Sequence, residues 1–374
     1  PSGMWVDFPG FAANKCLEIL EQGDYLSIVD DSLVNLVSND FLVIRQLATG
    51  HPQSASLDGE GNLWVADNGR GLVTDKGGGQ WTIVPDGPIS NSVFALATGG
   101  GILYTVLGGV TSAWNNQFNR ALLEYYRDGE WGEWTNWQSR DLVALAVHPD
   151  NPGQVFAGSW GYGLHEYIDG EETAWYGEDN SSLQSINPGD YFIRIGGLAF
   201  DPMGNLWMTN SNVAEPISVL KADGTWKSFA AGNKLSEFPA LGDIIVTRSG
   251  HKWGIVPKVN GLFAMDDNGT LDDTSDDIYE HVNIVDRYGK IITNDVRAIA
   301  EDHNGNLWLG TGRGILVIYS PYRLFTEGFI YAQEIIVPRN DGSGKGDVLL
   351  KEQVVTDIEV DGANRKWLGT AGGG

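Results

Sequence analysis

The stretch Glu301-Asp302-His303-Asn304-Gly305-Asn306-Leu307-Trp308-Leu309-Gly310-Thr311-Gly312-Arg313-Gly314 decides the fold. Asn304-Gly305 is a hairpin signal between two apolar runs, residues 296–300 and 307–309. Trp308 centres the second run. The Gly312/Gly314 pair then lets the backbone bend before the apolar segment 315–319.

Copies of this unit recur along the chain. Clear ones are Asp58-Gly59-Glu60-Gly61-Asn62-Leu63-Trp64, Asp201-Pro202-Met203-Gly204-Asn205-Leu206-Trp207 and Asp361-Gly362-Ala363-Asn364-Arg365-Lys366-Trp367. Weaker copies centre on Tyr104, Phe156 and Trp253, and a faint one on Tyr25. From Trp64 to Trp367, successive anchors lie 40 to 59 residues apart. That length holds four antiparallel strands: an inner strand such as 93–97 or 142–147, the anchor strand, a third strand such as 122–126 or 217–220, and an outer strand. The last two are joined by a turn of the type Asp128-Gly129-Glu130-Trp131 or Asp223-Gly224-Thr225-Trp226.

One such sheet leaves both faces bare, whereas sheets stacked radially cover each other. The repeat therefore predicts an all-β protein, a β-propeller of four-stranded antiparallel blades. Seven repeats are expected, with an eighth candidate at Tyr25, and the last blade lacks its outer two strands. Recurrence at one place in the repeat makes the anchor aromatics wedges between blades. Two domain organisations stay open: residues 1–374 as one array of repeats, or 1–95 as the end of one propeller and 96–374 as the start of a second. Segment 337–347 reads as a flexible polar loop.

The 374 residues include 50 Gly and 14 Trp, with 42% hydrophobic and 20% charged residues, which describes a folded chain with many tight turns. A formal net charge of −25 argues against nucleic acid as a partner and, unless a local basic patch or a bridging cation intervenes, against direct binding to anionic lipid headgroups. A single cysteine, Cys16, forms no internal disulfide, and this does not separate cytoplasm from envelope. No apolar run reaches the roughly 20 residues of a membrane helix. Beginning at Pro1 and ending in Gly372-Gly373-Gly374, the chain reads as a piece of a longer one.

In an up-and-down blade, the second-to-third and blade-to-blade connections share one face. The inserts 108–121, 176–192 and 210–216 all fall there, so that face is the expected functional one. On it, Trp114, Asn115, Asn116 and Phe118 combine aromatic rings with amides, and Trp160 and Tyr162 are expected to point toward the same rim. Such groups suit sugar rings; packing of the insert onto its blade is the other reading. Arg70 and Arg313 occupy near-equivalent Gly-Arg-Gly exits, where they either pair with local acids or bind carboxylate or phosphate.

Asp266, Asn268, Asp272, Asp273, Asp276 and Asp277 lie in an acidic segment at the opposite face. Their oxygens offer a calcium site, although the spacing is not that of an EF-hand, and a solvated acidic hairpin is the rival reading. No other cofactor is expected. Catalysis has little support: the six histidines, at 51, 148, 165, 251, 281 and 303, are scattered, and no nucleophile elbow, phosphate loop or metalloprotease helix appears.

The string Asp-x-x-Gly-Asn-Leu-Trp-x-Gly-Thr-x-x-Gly is similar to the two-component regulator propeller repeat of Bacteroidetes-type bacteria. Trp308 with Gly310-Thr311 matches best and Trp367 with Gly369-Thr370 next, while Trp64 and Trp207 depart after the Trp. Segments 108–119 and 266–277 resemble insertions of the PorZ-like proteins of the type IX secretion system. That resemblance implies a non-enzymatic two-propeller scaffold at the outer-membrane surface. It would sit in a complex that processes secreted cargo and attaches it to anionic lipopolysaccharide, with protein partners and a glycan or lipopolysaccharide component. The family's carboxy-terminal sorting domain is not found in the sequence. Two rivals are a periplasmic sensor domain of a hybrid two-component system that binds an oligosaccharide, and a propeller lyase or glycosidase.

Overall fold

The computed structural model describes residues 15–83, 87–90, 92–235 and 238–372; Pro1 and Gly373-Gly374 lie outside them. The chain separates into two compact units, Pro1–Gly87 and Pro88–Gly374. The first unit holds two four-stranded antiparallel sheets, residues 18–48 and 52–83. In the second, four-stranded arrangements span 93–140, 142–176, 193–229, 244–282 and 296–334, followed by a strand pair at 355–370. This is the architecture of a β-propeller built from four-stranded antiparallel blades. The Tyr25 repeat is a complete sheet, and the Trp367 repeat consists of Val355–Val360 and Lys366–Thr370.

The Trp308 sheet shows why the sequence folds this way. Its strands are Val296–Glu301, Leu307–Thr311, Gly314–Ile318 and Ala332–Glu334. In the turn between the first two, Oδ1 of Asp302 accepts the backbone N–H groups of Asn304 and Asn306 at 2.9 and 3.0 Å. Gly305 takes φ 76°, a left-handed conformation that glycine adopts without strain. The Asn306 amide reaches back to both Asp302 oxygens, and Oδ2 accepts the Trp308 indole N–H at 3.0 Å. The aspartate six residues before the anchor thus closes the turn and orients the tryptophan.

Asp58, Asp201 and Asp361 repeat this arrangement, accepting the indole N–H of Trp64, Trp207 and Trp367 at 2.9, 3.0 and 3.0 Å. Thr247 breaks the pattern before Trp253. Its hydroxyl turns to Ser249 and the His251 carbonyl, and the buried Trp253 indole N–H is left without a partner.

The anchors are wedges where a following sheet covers them. Trp207 and Trp253 are fully buried and Tyr104 nearly so, while Trp367 is 61% exposed. Lysines from the following repeat cap two of them: Lys252 lies over the Trp207 ring at 4.0 Å and Lys366 over Trp308 at 4.9 Å. Trp253 instead meets Phe325, on a short helix Arg323–Glu327 inserted before the outer strand of the Trp308 sheet. Apolar clusters therefore form between sheets, as with Trp253, Leu262, Leu307 and Leu309.

Segment 337–347 differs from the flexible loop expected of it. Ile336–Pro338 pairs antiparallel with Gly346–Val348, and Arg339 forms a bidentate pair with Asp347. Its polar composition hid a hairpin, because both sides of a small exposed ribbon face water.

Candidate functional site: the rim of second-to-third connections

Three residues after its anchor, a repeat often carries a small polar side chain that shapes the next turn. Oδ1 of Asp67 accepts the N–H groups of Gly69 and Arg70, and Oδ2 those of Gly50 and His51, at 2.7 to 2.9 Å. Burial pushes this carboxyl up, but the backbone donors and Thr49 outweigh it and hold the pKa at about 2. Ser159 accepts the N–H of Tyr162 at 3.0 Å, and Thr311 that of Arg313 at 3.1 Å. The same device therefore positions Arg70, Tyr162 and Arg313.

The insert 108–119 leaves the strand Ile102–Leu107 and is gathered by one carboxylate. Fully buried Asp141 accepts the N–H groups of Gln117 and Phe118 and the Asn116 amide on Oδ2, and the Asn119 N–H on Oδ1, at 2.8 to 3.2 Å. Trp114 folds inward and meets the Trp160 ring edge-on at 5.2 Å, while the Trp160 indole N–H donates to the Trp114 carbonyl. A Cβ on Gly242 would come within 3.0 Å of Trp114, so the insert spans from the 93–140 sheet to the loop before the 244–282 sheet.

Trp160 corrects the expectation of a rim-facing ring: it is fully buried and presents no face to a ligand. Its strand, Asn151–Gly161, runs past its own hairpin partners and pairs with the next inner strand, Trp160 opposite Arg194 and Gly161 opposite Ile193. That extension draws the ring inward. Trp114, Asn116 and Tyr162 are half-buried, and Asn115 and Phe118 are exposed. The Tyr162 carbonyl accepts the Trp175 indole N–H at 2.7 Å, and Trp175 lies near Tyr191.

Arg194 belongs to this group and was missed from sequence. It is the second residue of the inner strand Ile193–Phe200, between two fully buried isoleucines. Its guanidinium stands 5.2 Å from the Trp160 ring and 5.1 Å from Phe192, and donates to Oδ1 of Asn116 at 3.1 Å. A lone arginine among alternating isoleucines was the available signal. Its partner Asn116 lies 78 residues away.

Arg313 is exposed and borders a cleft of about 100 Å³, together with Thr293, Thr311, Glu334, Lys351 and Glu352. Leu350 and Glu352 there adopt left-handed φ values of 51° and 65°. Arg70 is exposed in the first unit, beside Asp67, whereas Arg313 belongs to the second. Neither arginine forms an ion pair with a described residue, although Asp67 lies near Arg70 and Glu334 and Glu352 line the cleft beside Arg313.

The acidic segment 266–277 is held by local hydrogen bonds and ion pairs. Among the described residues, no three His, Cys, Asp or Glu side chains are grouped to hold a metal ion. Asp266 faces His251 at 3.4 Å, Asp272 binds Lys221 at 2.5 Å, Asp273 takes Ser275, Asp276 receives Thr270 and Asp277 receives Tyr279. Asn268 reaches the Asp276 carbonyl. Most of these carboxylates close a turn or an ion pair, while burial raises the Asp277 pKa and Asp267 and Asp276 stay close enough for their charges to add to the rise.

Residues 290–313 match the family model of the two component regulator propeller. No curated protein sequence matches the chain. PorZ, a surface component of the type-IX secretion system of Porphyromonas gingivalis, is similar over 95% of this chain and 50% of its own, with 25% identity and a TM-score of 0.69. The extracellular domain of a hybrid two component system from B. thetaiotaomicron aligns over 95% and 50%, with 15% identity and a TM-score of 0.47. Virginiamycin B lyase from Staphylococcus aureus shares the fold, with 14% identity over 84% and 90% and a TM-score of 0.50. The chain spans about half the length of the PorZ protein it matches. Among the described residues, no helix is long and apolar enough to cross a membrane. The chain is thus a β-propeller similar in fold to PorZ, with a two component regulator propeller repeat matched at residues 290–313.

Proposed function

We propose that this chain is a non-enzymatic binding scaffold of the cell envelope, part of a type IX secretion assembly at the outer-membrane surface. On this reading it engages partner proteins and a glycan or anionic lipopolysaccharide component. The observation that carries the reading is the likeness to PorZ over 95% of the chain. The rim supports it: a carboxylate-clamped insert presents Asn115 and Phe118 to solvent beside Tyr162 and Arg194. Rings, amides and a guanidinium on a rigid sheet edge suit sugars with acidic substituents. Several histidines are already engaged in the fold: His165 with Glu172, His251 with Ser249 and Asp266, and His281 with the Asn260 carbonyl.

The test is binding of purified anionic and neutral lipopolysaccharide by the wild-type protein and by Phe118→Ala/Asn115→Ala. Retention of the anionic form, weakened in the variant at unchanged melting temperature, supports the reading. Equal retention of both forms by both proteins overturns it.

The regulator-propeller match at 290–313 favours a second reading, a periplasmic sensor domain for an oligosaccharide. A membrane helix followed by a kinase in the same gene would decide for it.

A further inference from the structure

We infer that Arg194 is an anion-recognition residue, taking a carboxylate or phosphate group of a ligand that lies across Asn116 and Phe192. The inference deepens the binding reading above and rests on this face being the binding face.

Arg45, Arg297, Arg323, Arg339 and Arg365 each hold a carboxylate, and their side chains are 40 to 71% exposed. Arg194 is more buried than these and has no ion pair with any described residue. Burial lowers its pKa, with no neighbouring charge among the causes, and the buried Nε has no hydrogen-bond partner. A guanidinium remains charged under such conditions. Leaving a charge half-buried without a counter-ion is costly, so stability alone does not account for it. A buried charged donor left unsatisfied calls for an acceptor, and an anionic group of a ligand supplies one here.

The surroundings hold the group ready. Asp141 is occupied by donors of the insert and is not free for Arg194. The Asn116 amide nitrogen donates to Asp141 and to the Trp160 carbonyl, which turns its oxygen toward Arg194. Gly161 provides the space beneath: a Cβ there would meet the Phe192 ring at 2.9 Å and the Asn116 amide at 3.1 Å. The fork is thus bounded by two rings and one amide and needs little ordering on binding. Carboxylate and phosphate share the geometry such a fork recognises, whether free or borne by a sugar.

The test titrates inorganic phosphate, glucuronate and glucose into the wild type, Arg194→Met and Arg194→Lys, reading tryptophan fluorescence and the melting temperature. The expected result is binding of phosphate or glucuronate but not glucose, weakened about tenfold or more in Arg194→Met and less in Arg194→Lys. The melting temperature of Arg194→Met stays level or rises, because a charge without a counter-ion has been removed. Undiminished anion binding by Arg194→Met overturns the inference. So does a lower melting temperature in a protein whose wild type binds no anion, which would make Arg194 a purely structural cation–π clamp. If Arg194→Met fails to fold, Arg194→Lys carries the binding comparison. Phosphate binding through Arg194 without lipopolysaccharide binding leaves the inference standing and removes the glycan reading.

Discussion

The Lys252 ammonium lies 4.0 Å from the centre of the Trp207 ring while bound to Asp267 at 2.6 Å. Lysine precedes the anchor in this repeat, so each Lys-Trp pair can place its lysine on the previous anchor, as Lys366 does with Trp308. Lys252 and Asp267 are both buried, and burial lowers the lysine pKa although Asp267 and other carboxylates oppose the shift. Lys252→Met leaves Asp267 uncompensated and is expected to cost about 3 kcal/mol by urea unfolding. Lys252→Met with Asp267→Leu should recover most of that loss. Equal losses in the single and double variants would show that the cation–π contact dominates.

Asp302→Ala removes the acceptor for one indole, one amide and two backbone donors, and is expected to cost about 3 kcal/mol. Burial raises the Asp302 pKa, but these donors outweigh it and hold it at about 2, below the ordinary 3.8. With its folded pKa depressed, the group contributes stability that is fully present above about 3.8 and lost as pH falls toward about 2. Asp67 acts in the same window. Unfolding free energies measured between pH 5 and 2 should fall more steeply for the wild type than for Asp302→Ala; parallel slopes would contradict the assignment.

Thr247→Asn returns an acceptor to the orphaned Trp253 indole without adding a charge near Glu301, whose carboxylate already receives the Arg248 N–H. The expected gain is about 1 kcal/mol by denaturant unfolding. An unchanged midpoint would mean that water already satisfies the indole.

Asp141→Ala should free the insert 108–119 while the strands beneath it persist. The expected readout is faster proteolysis within residues 108–119, with far-ultraviolet circular dichroism unchanged at 25 °C. Cleavage rates equal to wild type would show that Trp114 packing holds the insert without the carboxylate.

How much was legible follows from how far apart the cooperating residues lie. Asp302, Gly305, Asn306 and Trp308 act within seven residues, so their pattern survives as a string that can be recognised wherever it recurs. The alternation of turns then assigns Arg70, Trp114, Tyr162 and Arg313 to second-to-third connections. The eighth repeat at Tyr25 was faint because its turn lacks the Asp-to-Trp bond that makes the copies at Trp64, Trp207, Trp308 and Trp367 conspicuous.

By itself, then, the sequence determined the repeat, the four-stranded antiparallel blade and the turn chemistry, because these depend on local hydrogen bonds and on apolar periodicity. Only the tertiary structure decided which rim residues are available. An extension of one strand buries Trp160, Asp141 gathers an insert 22 to 25 residues upstream, and Asn116 meets Arg194 across 78 residues. Those encounters depend on how successive sheets stack, and no local pattern records that. The same holds for the acidic segment, whose carboxylates look like a cluster in one dimension and mostly turn to separate partners in three.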